Sequence, residues 1–144
     1  MQSPHRMHGS SASRDGQAVL LIGPPGVGKS DLVLRLLGRG FDLVADDQAD
    51  IVDGRIAAPA ALAGLLEVRG LGILRIPHVA SARLALVADL TERAERLPEP
   101  ATHAGLNVPL VHIDAQAASA PDRIVMALDC ALGRIQQVAG AFAA

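Results

Sequence analysis

A glycine-rich stretch, Gly23 to Ser30, carries the residues best suited to chemistry. It fits the pattern G-x-x-x-x-G-K-[ST] of phosphate-binding loops. Glycines let backbone N–H groups approach phosphate oxygens, and a following helix points its positive end at the same anion. Lys29 can reach the outer phosphates, and the Ser30 hydroxyl can ligate Mg²⁺, which prefers oxygen. The candidate binding residues are Gly23, Pro24, Pro25, Gly26, Val27, Gly28, Lys29 and Ser30.

The segments on either side of this loop support the interpretation. Ala18 to Ile22 is a short apolar run that predicts a buried strand. Apolar residues recur at helical spacing between Leu32 and Leu37, and the glycines at positions 38 and 40 predict the end of that helix. Strand, loop and helix in this order favour a phosphate site over an ordinary glycine-rich turn.

Two adjacent carboxylates follow the next predicted strand. Phe41 to Ala45 predicts the strand, and Asp46 and Asp47 come directly after it. Successive strand residues point to opposite faces, so one carboxylate can face the site while the other braces it. Ligands of open α/β sheets lie beyond the carboxyl ends of the strands, which suits an acid that holds Mg²⁺ or meets a reacting hydroxyl. The alternative is a solvated turn, because Asp is common in turns.

A second polar set lies in the segment from Leu66 to Ile76. Glu67 and Arg69 are two residues apart in an alternating pattern, which places them on one face of a strand. Two glycines then interrupt the pattern before a strand resumes. An acid and a base on one face beside glycines could hold Mg²⁺ and a phosphate. The alternative is a surface ion pair that contributes little stability.

The remaining sequence predicts further elements of an α/β domain. They are a hairpin over 48–58 around Asp53-Gly54, a short helix within 59–65, strands over 84–88 and 107–114, and a helix over 122–138. Ser119 and Pro121 suit the start of that helix. Residues 1–15, which include His8, are polar and predict a loose lead-in, and residues 139–144 predict a frayed tail.

Composition narrows the possible functions. The 144 residues suit one domain, and its core must use Ala, Leu, Val and Ile because there are two Phe and no Trp or Tyr. A net charge of −2 and the lack of aromatic platforms argue against a nucleic-acid partner. No apolar run is long enough to span a membrane. The lone Cys130 rules out an intramolecular disulfide and indicates a reducing cytoplasm.

Four features together resemble the catalytic domain of HPr kinase/phosphorylase, the bacterial enzyme that phosphorylates a serine of the phosphocarrier protein HPr. In the family's order they are His8-Gly9, the loop Gly23 to Ser30, Leu43-Val44-Ala45-Asp46-Asp47, and Glu67-Val68-Arg69-Gly70-Leu71-Gly72-Ile73. The last is similar to the family signature and is more specific than the loop. The likeness covers most of residues 8–100 and weakens beyond them.

The resemblance implies a P-loop-containing α/β fold related to phosphoenolpyruvate carboxykinase, with a mixed sheet and flanking helices. It implies a single catalytic domain over residues 1–144, with 1–7 and 139–144 loose. It also implies a cytoplasmic homohexamer that depends on ATP and Mg²⁺ and phosphorylates HPr. Longer family members carry an extra N-terminal domain, and only a few residues precede His8 here. The chain therefore resembles the short, catalytic-domain-only form.

Roles for individual residues also follow from the resemblance. They are Lys29 as a phosphate ligand, Ser30 and Glu67 as Mg²⁺ ligands, Asp47 as proton acceptor for the target serine with Asp46 beside it, and His8 completing the site. Arg96, within Glu95-Arg96-Leu97, is similar to a family active-site arginine.

One departure from the family limits the expected reaction. The family's Arg-Pro-Gly-Arg-Asn segment, tied to dephosphorylation, is absent, and Val108 to His112 lies in its place. Kinase activity is therefore better supported than phosphorolysis of the phosphoserine. Two other functions stay open: a P-loop kinase or hydrolase with another substrate, or a nucleotide-sensing regulator without turnover. The intact Lys29, Ser30, Asp47 and Glu67 argue against the regulator.

Overall fold

A computed structural model describes residues 5–143. Residues 1–4 of the predicted lead-in and residue 144 of the predicted tail lie outside the described residues. The elements in chain order are β1 (His5–His8), β2 (Ser10–Arg14), β3 (Gln17–Ile22), α1 (Lys29–Leu37), β4 (Asp42–Ala45), β5 (Gln48–Val52), β6 (Arg55–Ala57), β7 (Leu65–Val68), β8 (Gly72–Arg75), β9 (Ala82–Leu90), β10 (Leu110–Ile113) and α2 (Ala120–Ala131). The short helix predicted within 59–65 is a 3-10 turn, Ala60–Leu62.

The main sheet is mixed. Its strand order is β1-β5-β6-β9-β3-β2-β4, and β10 pairs with the end of β9. Strands β3, β9 and β10 run parallel, whereas the other pairs of the described sheet are antiparallel. Strands β7 and β8 form a separate antiparallel hairpin. The predicted α/β fold with a mixed sheet and flanking helices is confirmed.

Alternation along β3 divides the core into two clusters. Val19 and Leu21 pack with apolar residues of α1 and α2. Ala18 and Leu20 face the other side of the sheet, where they pack with residues of β5 and β6 such as Ile51. All four β3 residues are fully buried, so β3 lies at the centre of the domain and holds the segment that follows it in a fixed place.

The prediction of a loose lead-in is wrong for residues 5–14, which form β1 and β2. The turn Asp15-Gly16 joins β2 to β3 and has positive φ at both residues, 53° and 78°. That is the geometry of a tight type I′ hairpin. The same turn occurs at Asp53-Gly54, with φ of 51° and 76°, in the hairpin that was predicted correctly.

Strand β2 is buried although three of its five residues are serines. Ser10, Ser11 and Ser13 are at most 1% exposed. Burial of a hydroxyl is tolerated when it has a hydrogen-bond partner. The Ser11 hydroxyl donates to the Val19 carbonyl at 2.8 Å, and the Ser10 hydroxyl donates to a carboxylate of the candidate site. A polar strand can therefore cross the core.

Helix α2 is shorter than predicted and ends at Ala131 rather than at residue 138. Gly133 lies in the left-handed region, with φ of 74°, and this turns the chain out of the helix. The tail is not loose throughout: Ala141 and Phe142 pack against the core, and the Phe142 N–H donates to the Gln137 side chain. Neither helix within residues 5–143 is long and apolar enough to cross a membrane.

Candidate active site

A cleft of about 520 Å³ opens at the carboxyl end of β3. It is lined by the loop before α1 and the start of that helix, by Asp47, by Glu67 to Arg69 of β7 and its turn, and by Gln116. Parallel strands bring loops that are distant in sequence to one edge of a sheet, which explains this convergence. The structure therefore brings together the loop, the second predicted carboxylate and the acid–base pair Glu67 and Arg69.

The glycine-rich loop leaves the helix terminus open to an anion. Gly28 is the N-cap of α1 and has φ of 108°, a conformation that residues with a Cβ rarely adopt. Because Gly28 has no side chain, it cannot cap the N–H groups of the first helical turn. Those N–H groups, together with the positive end of the helix dipole, form a ready site for phosphate.

Lys29 lies over the same loop. Its ammonium donates to the carbonyl of Gly23 at 2.8 Å and to the carbonyl of Pro24 at 3.1 Å. These contacts hold a positive charge at the mouth of the loop, where the lysine lines the cleft. The arrangement concentrates positive potential next to the open N–H groups of α1.

Asp46 supports the site through hydrogen bonds to three neighbouring segments. Its side chain is only 9% exposed and accepts three hydrogen bonds: from the Ser10 hydroxyl at 2.8 Å, from the Ser30 hydroxyl at 2.6 Å and from the Glu67 N–H at 3.0 Å. A buried carboxylate needs such partners to offset its lost hydration. Asp46 thus ties the loop, strand β2 and strand β7 together.

Asp47 faces the cleft, in contrast to Asp46. Its side chain is exposed, and its φ of 70° turns the chain sharply after β4. Its backbone is fixed on both sides, because its N–H donates to the Ser10 hydroxyl at 3.2 Å and its carbonyl accepts from Gly9 N–H at 2.9 Å. A free carboxylate on a rigid backbone can orient an incoming hydroxyl and accept its proton.

The close packing around Gly9 explains why the predicted pair His8-Gly9 contains a glycine. A Cβ at this position would lie 2.8 Å from a methyl carbon of Leu20 and 2.9 Å from the Leu21 carbonyl oxygen. The backbone of Gly9 must therefore approach β3 closely while it holds Asp47. The His8 side chain itself is exposed and does not line the cleft.

Arg96 is likewise a predicted site residue that does not line the cleft. It is exposed in the segment between β9 and β10, outside the residues that line the site. Among the described residues, the arginine that lines the cleft is Arg69.

Two residues of the site were missed by the sequence analysis. Ser10 was assigned to the loose lead-in, although the Asp-Gly turn after β2 indicated a hairpin. Gln116 lies in the short connection between β10 and α2, and its side-chain amide donates to the Val27 carbonyl of the loop at 3.4 Å. No local pattern marks Gln116, because only the parallel pairing of β9 and β10 brings it to the loop.

The donors of the cleft fit Mg²⁺ held together with phosphates rather than by the protein alone. Within residues 5–143 no group of three His, Cys, Asp or Glu side chains could enclose a metal ion. Mg²⁺ is commonly bound by one or two protein oxygens, with substrate phosphates and waters completing the octahedron. Ser30 and Glu67 offer such oxygens, and the Ser30 proton is already engaged by Asp46, which leaves its lone pairs free.

The fold and cleft together define an α/β protein with a mixed sheet, in which a glycine-rich loop and an acidic residue face one cleft. Comparison with known families is specific: the family described as HPr Serine kinase C-terminal domain matches residues 1–127. The chain belongs to this family.

Individual relatives and structures agree with that assignment. An HPr kinase/phosphorylase of Polaromonas is 33% identical over 93% of this chain and 48% of its own length. One of Clostridium tetani is 43% identical over 51% of this chain and 26% of its own length. The HPr(Ser) kinase/phosphatase structure from Coxiella burnetii is similar in fold, with a TM-score of 0.71, 23% identity, and coverage of 86% of this chain and 87% of that one. The chain spans at most about half of these curated relatives' length.

Proposed function

We propose that this domain is an ATP- and Mg²⁺-dependent serine kinase that phosphorylates the phosphocarrier protein HPr in the cytoplasm. The observation that carries the proposal is the meeting of the phosphate loop, Asp47 and Glu67 around one cleft. Family membership supports HPr as the substrate, because the relatives are named for it. Kinase activity is preferred over phosphorolysis because the chain lacks the Arg-Pro-Gly-Arg-Asn segment.

Binding of the nucleotide is assigned to the loop and the start of α1. The phosphates are bound by backbone N–H groups from Gly26 to Ser30. The positive end of the α1 dipole attracts the same phosphates. Lys29, now hydrogen-bonded to two loop carbonyls, lies within the same loop and supplies a mobile cation for the outer phosphates. Such fixed charges stabilise the charge that spreads over the transferring phosphoryl group.

Ser30 and Glu67 are assigned to the metal. Mg²⁺, when bound, neutralises charge on the phosphates of the nucleotide. Asp46 accepts a hydrogen bond from the Ser30 hydroxyl and so keeps it oriented. It also accepts a hydrogen bond from the Glu67 N–H, which holds the backbone of that residue. Asp46 is therefore a positioning residue in this proposal.

Asp47 is assigned as the acceptor of the hydroxyl proton of the target serine. In the transfer, the serine oxygen of HPr forms a bond to the γ-phosphorus, the bond from that phosphorus to the leaving ADP oxygen breaks, and the hydroxyl proton passes to the Asp47 carboxylate. A carboxylate is a weak base, so Asp47 chiefly orients the hydroxyl and accepts its proton late. The exposed side chain and rigid backbone of Asp47 suit this role.

The test is transfer from labelled ATP to HPr in the presence of Mg²⁺, with pools of small metabolites offered in parallel. Labelling of a serine in HPr is expected, and Lys29→Ala is expected to weaken or abolish it. Labelling of a metabolite but not of HPr would replace the proposal with another P-loop kinase. Binding of ATP without transfer to any acceptor would indicate a nucleotide-sensing regulator.

The same phosphorylated HPr serves to test the reverse reaction. Adding inorganic phosphate is expected to leave the phosphoserine in place. We also propose assembly into a homohexamer, as the family resemblance implies, and light scattering on the purified domain would give its mass. A monomer that still transfers phosphate would separate the assembly from the activity.

A further inference from the structure

The connection between β10 and α2, residues 114–119, contacts the phosphate loop through Ala115 and Gln116. The Gln116 side-chain amide donates to the Val27 carbonyl at 3.4 Å. The same amide lies 3.5 Å from the point where a Cβ on Gly28 would be, and the Ala115 methyl lies 3.6 Å from that point. The connection therefore contacts the two loop residues that immediately precede Lys29.

This connection is itself held rigidly. Arg35 of α1 donates to the Ala115 carbonyl at 2.6 Å and to the Ala117 carbonyl at 3.4 Å. The Gln116 N–H donates to the Asp114 carboxylate at 2.9 Å, which closes a local turn. Because Arg35 belongs to the helix that begins in the loop, these contacts hold the backbone on either side of Gln116 against α1.

The contact with Val27 sets the direction of the next N–H group. The described chain has no cis peptide bonds, so the Val27–Gly28 bond is trans. In a trans peptide the carbonyl and the following N–H point in opposite directions. A donor that holds the Val27 carbonyl therefore directs the Gly28 N–H the opposite way, within the same peptide plane. Gly28 has no side chain and φ of 108°, so its own conformation restrains that plane less than a residue with a Cβ would.

We propose that Gln116 is a positioning residue for the nucleotide: it holds the Val27–Gly28 peptide so that the Gly28 N–H is directed at a phosphate. The inference rests on the proposed function, because it assumes that the loop binds a nucleoside triphosphate. It extends the site to the connection before α2, outside the stretch that carries the family signature.

The test uses Gln116→Met, which removes the donor at similar length, and Gln116→Glu, which replaces the donor by an acceptor and adds a negative charge. Gln136→Met and Gln136→Glu are matched controls, because Gln136 is exposed in the segment after α2 and does not line the cleft. A net hydrogen bond is worth roughly 0.5–1.5 kcal/mol, so Gln116→Met should weaken Mg-ATP binding about 2- to 12-fold. Gln116→Glu should weaken it further.

Two additional readouts separate positioning from a general effect on folding. The KM for ATP should rise with the dissociation constant while kcat changes less, because Gln116 touches the loop and not the reacting atoms. In nucleotide-free protein, the Gly28 amide resonance should move in both Gln116 variants and stay in place in both Gln136 variants. A reduced kcat at unchanged KM would contradict the inference.

The nucleotide-free measurement also keeps this inference distinct from the proposed function. If the wild-type domain binds Mg-ATP but the Gln116 variants bind it equally well and leave the Gly28 resonance in place, the inference is wrong and the proposed function stands. If the wild-type domain does not bind Mg-ATP, the proposed function is wrong. If the Gly28 resonance also stays in place in the Gln116 variants, the contact between Gln116 and Val27 is contradicted as well.

Discussion

The floor and the rim of the cleft are built in opposite ways. We call the floor the set formed by Asp46, the hydroxyls of Ser10 and Ser30, and the N–H of Glu67. The rim is Asp47 together with the hairpin tip from Arg69 to Ile73. On the floor every named polar group is hydrogen-bonded, and Asp46 is 9% exposed. On the rim, Leu71 and Ile73 are 73% and 71% exposed.

We expect the two regions to respond differently to substitution, in stability as well as in activity. Groups on the floor satisfy one another, so changing one leaves others buried without partners and costs stability as well as activity. Groups on the rim make few contacts with the rest of the domain, so they are free to meet a substrate and can change without loss of stability. The comparison can be tested residue by residue, because each region offers a matched pair.

The largest effect is expected on the rim, at Asp47. Asp47→Asn removes the proton acceptor, and general-base catalysis contributes roughly 10²–10⁴-fold, so phosphate transfer to HPr should fall by about that factor. Stability should be unchanged, because Asn tolerates the left-handed φ of 70° that Asp47 adopts. Single-turnover transfer, Mg-ATP affinity and urea unfolding would be measured together. Normal transfer by this variant would remove Asp47 from the mechanism.

The hairpin β7–β8 provides the next contrast within one element. Leu66 is 1% exposed in the core, so Leu66→Ala should destabilise the domain by about 2–5 kcal/mol. Leu71→Ala, at the exposed tip, should change the free energy of unfolding by less than about 0.5 kcal/mol. Urea denaturation of both variants measures the difference. Equal losses would show that the tip is packed and that the rim is not the open region described above.

A change on the floor should be smaller than the Leu66 effect but should appear in two measurements. Asp46→Ala leaves the buried Ser10 hydroxyl, the half-buried Ser30 hydroxyl and the Glu67 N–H without their acceptor, which should cost roughly 2–4 kcal/mol of stability. It should also weaken Mg-ATP binding, because Ser30 loses its orientation. Asp42→Ala, which removes an exposed carboxylate from the strand that precedes Asp46, is the control. A stable Asp46→Ala variant with lost affinity would mean that the floor acts through the nucleotide alone.

The residues that line the cleft were easier to find from the sequence than the hydrogen bonds of the floor. The loop, Asp47, Glu67 and Arg69 come from runs with strong local patterns, each at the end of a predicted strand or in an alternating stretch. Their convergence followed from the general rule that strand ends share one edge of the sheet. The rule did not place His8 or Arg96, which the structure leaves outside the lining of the cleft.

The floor depends on pairings that no local pattern reveals. Ser10 reaches Asp46 only because β2 pairs with β4, a contact between segments about thirty residues apart that is irregular at Ser11 and Ala12. The serine-rich composition of β2 suggested solvent exposure, whereas the hydroxyls of Ser10 and Ser11 are hydrogen-bonded inside the core. Similarly, Gln116 reaches the loop through the parallel pairing of β9 and β10. Such long-range pairings are set by the whole sheet.

The smallest effect is expected at a pair remote from both regions, Arg6 and Asp50, which face each other across β1 and β5. The Arg6 guanidinium donates to both Asp50 oxygens, at 2.7 and 3.0 Å, and these hydrogen bonds hold the pKa of Asp50 below its ordinary value. Because the folded-state pKa is lowered, the stabilisation is present above the unfolded pKa of about 3.9 and is lost as the pH falls through the folded value.

Asp50→Asn should therefore be slightly less stable than the wild type at pH 7, and the gap should close as the pH drops below about 4. The exposed position of Arg6 and screening by salt keep the gap small, so 1 M NaCl should narrow it further. Nucleotide affinity should not change, because neither residue lines the cleft. A gap that widened in acid would mean that folding raises the pKa of Asp50 instead of lowering it, so that Arg6 does not stabilise the Asp50 carboxylate.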